Sequence, residues 1–267
     1  MTPTAPPSPR RPLTRPVWIV GHLLALSAVI GFILLGQWQL RRHQERSLLD
    51  DRITARVAEQ PRSLDELVAV LGTDGAALDL RPATATGTYR PQDEVILQAR
   101  TLNGRSGNEV LTPLDLGDGS AVLVDRGWVP LDVVGPPVEG AEVPSGPVTV
   151  SGYLRPTQTR SGFGPVDPPT GVLERVIRVD LDRLQQQIDL DLGEVYLVLA
   201  EQSPDQPGDF PIALPAPQPG GGPPHLSYAV QWFAFAGVVL VGYPILLRRS
   251  AGKRPADGGT DSGRLPQ

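Results

Sequence analysis

Two stretches of this sequence run for about 19–20 residues without a charge, which is the length needed to cross one bilayer core. They are Val17–Leu35 (VWIVGHLLALSAVIGFILL) and Tyr228–Leu247. One such run can be the buried helix of a soluble protein. Two in one chain predict a membrane protein with transmembrane helices over 17–37 and 227–247. Ala25–Ala28 (ALSA) has the small residues of a signal cleavage site. However, cleavage there leaves the rest of the apolar run, through Leu35, as a hydrophobic N-terminus, so an uncleaved anchor is the expectation. Trp18 and Trp38 bracket the first run, as interfacial aromatics do.

Arginine placement sets the orientation. Arg10, Arg11 and Arg15 precede the first run, and Arg41, Arg42, Arg46 and Arg52 follow it, so that run alone is ambiguous. The second run decides. Arg248, Arg249, Lys253, Arg254 and Arg264 follow it, and no Lys or Arg lies between Arg183 and its start. Basic residues stay cytoplasmic, so both termini are expected there, with 38–226 outside. The chain has 24 Lys+Arg and 29 Asp+Glu. The tails take eight of these bases and two acids, which leaves 16 against 27 between the helices, a net of −11. That charge argues against nucleic acid as a partner and leaves membrane lipid to the helices. With no cysteine, the outer domain must rest on its core, and thiolate chemistry is excluded.

The tails, 1–16 and 248–267, are Pro-, Gly- and Arg-rich and expected to be disordered. From Gln39 to about Glu59 the charged sequence continues the first helix outward until Pro61 breaks it. SLDELVAVL, from Ser63, has a serine N-cap and acids in its first turn. ATATGTYR, EVILQAR, NEVLTPLDL, SAVLVDRGWVP, GPVTVSGYLRP, RVIRVD and EVYLVLAEQ read as strands separated by turns such as LNGRSGN and GDGS. A short helix is expected from Leu181. The domain is therefore β-rich (α+β) and antiparallel, a barrel or a sandwich. It ends in a Pro/Gly linker over 204–224.

Catalytic signatures are absent: no GxSxG, HExxH, phosphate loop or dinucleotide fingerprint occurs, and the only histidines are His22, His43 and His225. A non-enzymatic role is expected. Three stretches stand out. LGQWQLRRHQER, from Leu35, places Trp38, Gln39 and Arg42 at the outer end of the first helix, where tryptophan and arginine also suit the interface. VLVDRGWVP ends a buried strand in Arg126, Gly127 and Trp128. There Gly127 permits a turn, and Trp128 either closes the core or stacks on a guanidinium. The third is HLSYAVQW, which opens the second helix. At about 100° per residue, His225, Tyr228, Trp232, Phe235 and Val239 share one face. Such a face can hold a haem edge-on, with the metal on the imidazole of His225, or it can simply pack on the first helix. His43 lies near the outer surface and is a candidate second ligand.

Taken together, these stretches resemble the surfeit locus protein 1 family. Gly36, Trp38, Gln39, Leu40 and Arg42 match its G-x-W-Q-L-x-R pattern, and Val124–Pro130 its V-[ND]-R-G-W-[VI]-P strand end. His225, Tyr228, Gln231 and Trp232 match its H-x-x-Y-x-x-[QT]-W helix start. Position 125, often asparagine in the family, is aspartate here. The resemblance covers nearly the whole chain apart from its tails. It implies an assembly factor for the haem–copper terminal oxidase (cytochrome c oxidase) that handles haem a for insertion into the catalytic subunit. The implied partners are that subunit and the haem a synthesis machinery. A cofactor-free membrane scaffold for an oxidase subunit is the rival reading, and a transporter or sensor would need pathway residues or an output domain that the sequence lacks. Arginine far exceeds lysine, which points to a bacterial cell membrane; the Arg-rich, acid-free N-terminus also suits the mitochondrial inner membrane.

Overall fold

The protein is described by a computed structural model covering residues 16–133, 135–159, 162, 164–220 and 224–252. The expected disorder of the tails lies outside the described residues, apart from Pro16 and 248–252. These residues separate into two compact units, one of the two long helices, the first of them only as far as Leu48, and one spanning Leu49–Gly220.

In the first unit, α1 (Pro16–Val57) and α5 (His225–Gly252) contain the two apolar runs and are long and apolar enough to cross a membrane. Their apolar side chains face outward. Val17, Leu24, Val230, Val238 and Val241 are all more than half exposed. A core helix of a soluble protein would bury them. The helices pack antiparallel through small residues: Ala229 and Ala236 are buried, and a Cβ on Gly36 would sit 2.7 Å from the ring of Phe233. Close approach of this kind is how apolar helices associate where the hydrophobic effect offers little.

The sheet of the second unit follows from alternation. Along β5 (Ala121–Pro130), Val122 and Val124 join one core cluster, while Ala121 and Leu123 join another. β8 (Val195–Ser203) repeats the pattern, with Leu197 and Leu199 facing the first cluster and Tyr196 and Val198 the second. Both faces are covered, so both strands read as nearly continuous apolar runs. The remaining strands are β1 (Arg62–Ser63), β2 (Pro82–Tyr89), β3 (Val95–Leu102), β4 (Arg105–Asp115), β6 (Pro147–Pro156) and β7 (Arg175–Val176). Their order is β1-β2-β6-β8-β5-β4-β3-β7, and β2 also meets β4 at Thr88↔Asp115 and Tyr89↔Leu114. That pairing closes β2, β6, β8, β5 and β4 into a barrel around the first cluster.

Short helices cap the two clusters. α2 (Leu64–Leu71) begins at Ser63, whose hydroxyl accepts from the Glu66 amide at 3.2 Å. It delivers Leu67, and α3 (Gly75–Leu78) delivers Leu78, to the barrel interior. α4 (Leu181–Gln185) lays Leu181 and Leu184 over the second cluster. β3 and β4 turn through Asn103 and Gly104, both at positive φ, the two-residue hairpin that Asn-Gly favours.

Three expectations change. The sheet is mixed, because β8 enters between β5 and β6 and runs parallel to β5. RVIRVD reduces to the two residues of β7, paired parallel to β3. The first half of the 204–224 segment is docked and not free linker: Phe210 and Leu214 pack on core clusters, and Ile212 bridges to Trp128.

Candidate functional site

Where α5 begins beside the end of the apolar run of α1, His225 and Gln39 come together although 186 positions separate them in sequence. The His225 Nδ1 lies 2.9 Å from the Gln39 Oε1. An amide oxygen can only accept, so in the neutral ring this contact places the proton on Nδ1 and leaves the lone pair on Nε2. Metal-binding histidines are commonly oriented in this way, by an acceptor on the nitrogen that does not bind. His43 is one turn beyond Gln39 on the same side of α1 and is half-buried. At the other end of the pair, Tyr243 and His22 make the equivalent contact, with the hydroxyl 2.9 Å from Nδ1.

The expected aromatic face divides. His225, Trp232 and Val239 turn toward α1, where Trp232 stacks on Phe32 with ring centroids 5.7 Å apart. Phe235 is 41% exposed but keeps its ring 5.7 Å from Phe32 and 5.8 Å from Trp232, whereas Tyr228, 46% exposed, lies at the edge of that face and is not gathered with His225. Helical geometry explains the split. Tyr228 is rotated about 60° from His225 on the helix, while Trp232 is rotated by only about 20°. Gln231 is exposed, and no hydrogen bond reaches it among the described residues. Trp38 is 48% exposed, with the Arg42 guanidinium 5.9 Å from its ring centroid. Arg42 also pairs with Glu45 at 3.0 Å. These two residues fit an interfacial role.

In the second unit, the Asp125–Trp128 motif is built around a β-bulge. Val110 faces Gly127 and Leu111 faces Asp125, so Arg126 is the extra residue of β5. Gly127 takes φ +122°, and a Cβ there would meet the Ile212 carbonyl oxygen at 2.2 Å. Only glycine fits on both counts. The bulge turns Arg126 inward, where its side chain is fully buried. Its Nη1 donates to the Glu94 Oε2 at 3.3 Å and its Nη2 to the Glu142 carbonyl at 3.0 Å, and the guanidinium lies 5.4 Å from the Tyr89 ring centroid. Burial pushes Arg126 below its usual pKa, and the charge of Glu94 opposes that shift. Glu94 also accepts from the Thr112 hydroxyl and the Val138 amide. Neither Glu94 nor its role is visible in the sequence motif. The available signal is only that an arginine inside an apolar strand requires a partner.

Trp128 is 2% exposed and covers Gly107, where a Cβ would come within 2.4 Å of the indole. Arg105 lies 5.7 Å from its ring centroid. Both readings of this tryptophan therefore hold: it closes the core and carries a guanidinium.

Asp125 points to the other side of β5, into a cavity of about 320 Å³ shared with Arg100, Glu109, Tyr153 and Tyr196. Burial, reinforced by the negative charge of Glu109, raises its carboxyl well above the usual range. A raised folded-state pKa means the folded protein holds its proton at a pH where the unfolded chain has released it. Stability is therefore fully present below the ordinary aspartate range and falls as pH rises toward the folded value. Asp125→Asn keeps a neutral side chain of the same shape. It is expected to raise the stability of this unit at neutral pH by about 1 kcal/mol or more and to flatten the decline above pH 4. Thermal unfolding of the purified chain in detergent, from pH 4 to 8, checks this; an unchanged pH profile would contradict it.

A model of the SURF1 family matches residues 26–237. An uncharacterized SURF1-like protein of Mycobacterium tuberculosis is 28% identical over 247 residues, covering 86% of this chain and 83% of that protein. A SURF1-like protein of Monosiga brevicollis is 27% identical over 250 residues, 86% and 88% of the two chains. Surfeit locus protein 1 of Xenopus tropicalis is 29% identical over 241 residues, 80% and 71%. The match runs from the first apolar helix through the barrel and past the His225–Gln39 contact into the second helix: the chain belongs to the SURF1 family.

Proposed function

We propose that this chain is a membrane-anchored assembly factor for the haem–copper terminal oxidase, handling haem a for insertion into the catalytic subunit. The observation that carries the reading is the His225–Gln39 hydrogen bond. It holds one imidazole at the outer end of the helix pair with its Nε2 lone pair uncommitted, the donor a haem iron takes. Haem here is cargo, bound through its iron by His225 and then passed on. Gln39 fixes the tautomer, and His43, on the same side of α1, is the candidate second ligand. The chain catalyses no reaction of its own. Its partners are the oxidase catalytic subunit and the haem a synthesis machinery. It sits in a bacterial cell membrane with both termini cytoplasmic and the barrel outside; the mitochondrial inner membrane is the alternative setting.

The stacking of Trp232 on Phe32 favours a second reading, because it uses in helix packing an aromatic surface that could otherwise face the macrocycle. On that reading the protein is a cofactor-free scaffold for an oxidase subunit. Absorbance of protein purified from haem-a-producing cells separates the two. Wild-type protein is expected to carry haem in stoichiometric amount, and His225→Ala to lose it while still inserting. Gln39→Ala is expected to weaken binding about 10–100-fold. Wild-type protein free of haem would leave the scaffold reading, whereas an unaltered spectrum and full occupancy in His225→Ala would show that His225 does not hold the iron.

A further inference from the structure

β5 and β8 run side by side only as far as Asp125 and Val198. Beyond that point the Arg126 bulge redirects β5, and Ile212 pairs with it through two backbone hydrogen bonds to Trp128, each 2.8 Å. β8 continues to Ser203 with β6 along one side. Along its other side no strand follows it among the described residues, so the backbone groups of Leu199–Ser203 that turn that way have no ladder. An edge of this kind is usually guarded by lysine or proline. This one has neither before Pro204.

A cavity of about 400 Å³ lies along the edge, bounded by Leu199–Gln202 on one side and by Asp205, Gln206, Pro211 and Ala213 on the other. Its chemistry alternates. Leu199, Pro211 and Ala213 give apolar walls, whereas Glu201 and Asp205 are exposed carboxylates with no ion pair among the described residues. Arg126 also lines the cavity, but its charge is matched internally by Glu94 and does not offset the two acids.

We infer that this edge takes an extended, basic segment of a partner polypeptide as an added strand beside β8. Main-chain groups of the segment complete the ladder that stops at Val198. Alternate side chains fall on the apolar walls and on the acidic lip, as the period of a strand requires. The surplus of acids between the two helices favours a cationic partner over longer range. The inference is independent of whether His225 takes haem.

Hydrogen exchange of the full chain in detergent micelles tests it, read by mass spectrometry over Leu199–Ser203. The probe is the synthetic peptide acetyl-Lys-Val-Lys-Val-Lys-Val-amide, with a version carrying glutamate for lysine as the charge control. The basic probe is expected to slow exchange in this segment roughly tenfold at ten times its Kd. The protection should fade at high salt and disappear in the Glu201→Lys/Asp205→Lys double variant. Three results would overturn the inference: no slowing at millimolar peptide, equal slowing by both peptides, or slow exchange of the amides that turn away from β6 before any peptide is added. In the last case the edge is already covered, and a dilution series would show whether a second copy of the chain covers it.

Discussion

Glu94→Ala is expected to cost the barrel about 3–5 kcal/mol, the usual penalty for breaking a buried ion pair by removing one partner. The side chain is almost fully buried and receives three donors: the Arg126 guanidinium, the Thr112 hydroxyl and the Val138 amide. Alanine removes all three acceptor contacts and leaves the guanidinium charge inside the protein with a carbonyl, the Tyr89 ring and the exposed Glu142 carboxylate to offset it. Loss of the pair as a whole should hurt far less. In the double variant Glu94→Ala/Arg126→Met no charge remains to be solvated, and Met fills much of the arginine stem's volume. The denaturant midpoint of the purified chain in detergent, followed by its β-sheet circular dichroism, should therefore drop sharply in the single variant and recover substantially in the double. If both variants lose the same amount, the carboxylate is not neutralising Arg126, and its other contacts account for the loss.

The same pair marks how far the sequence could be read. β5 was legible because both its faces are buried and β-branched residues fill it; the Ser63 N-cap and the Asn103–Gly104 turn were legible because their chemistry is local. Closure of the barrel through Thr88↔Asp115 was not, since pairing between distant strands leaves no trace in periodicity. The parallel pairing of β5 and β8 was hidden for the same reason. Arg126 was singled out from its motif, whereas Glu94, 32 positions earlier, belongs to no pattern around it. In the helix pair, Gln39 and His225 were each visible in their own stretch. Their contact depends on the register set by Gly36, Ala229 and Ala236, which neither stretch encodes by itself. Tyr228 shares the wheel face of His225 but stays exposed, because a helical wheel gives direction but not the width of the neighbour that covers it. The Pro/Gly composition around Phe210 and Ile212 suggested a free linker, yet two backbone hydrogen bonds to Trp128 outweigh it.

Trp128→Ala should cost a further 3–5 kcal/mol by a different route, the loss of a large buried aromatic. The indole is 2% exposed and occupies the space that Gly107 leaves by having no side chain. Backbone on both sides fixes that space: β4 pairs with β5 at Glu109↔Trp128, and Ile212 pairs with Trp128 across the other edge. Neighbouring side chains therefore have little freedom to collapse into the cavity, which puts the cost toward the upper end of the range. Trp128→Phe separates packing from hydrogen bonding. The indole Nε1 has no acceptor among the described residues, so replacing it with carbon removes no bond, and phenylalanine should retain most of the stability. The pair of variants is read from the same denaturation experiment, with Trp128→Phe close to wild type and Trp128→Ala well below it. Equal midpoints for Trp128→Ala and wild type would mean that the tryptophan is not part of the barrel core, and that the Gly107 gap is filled by something else.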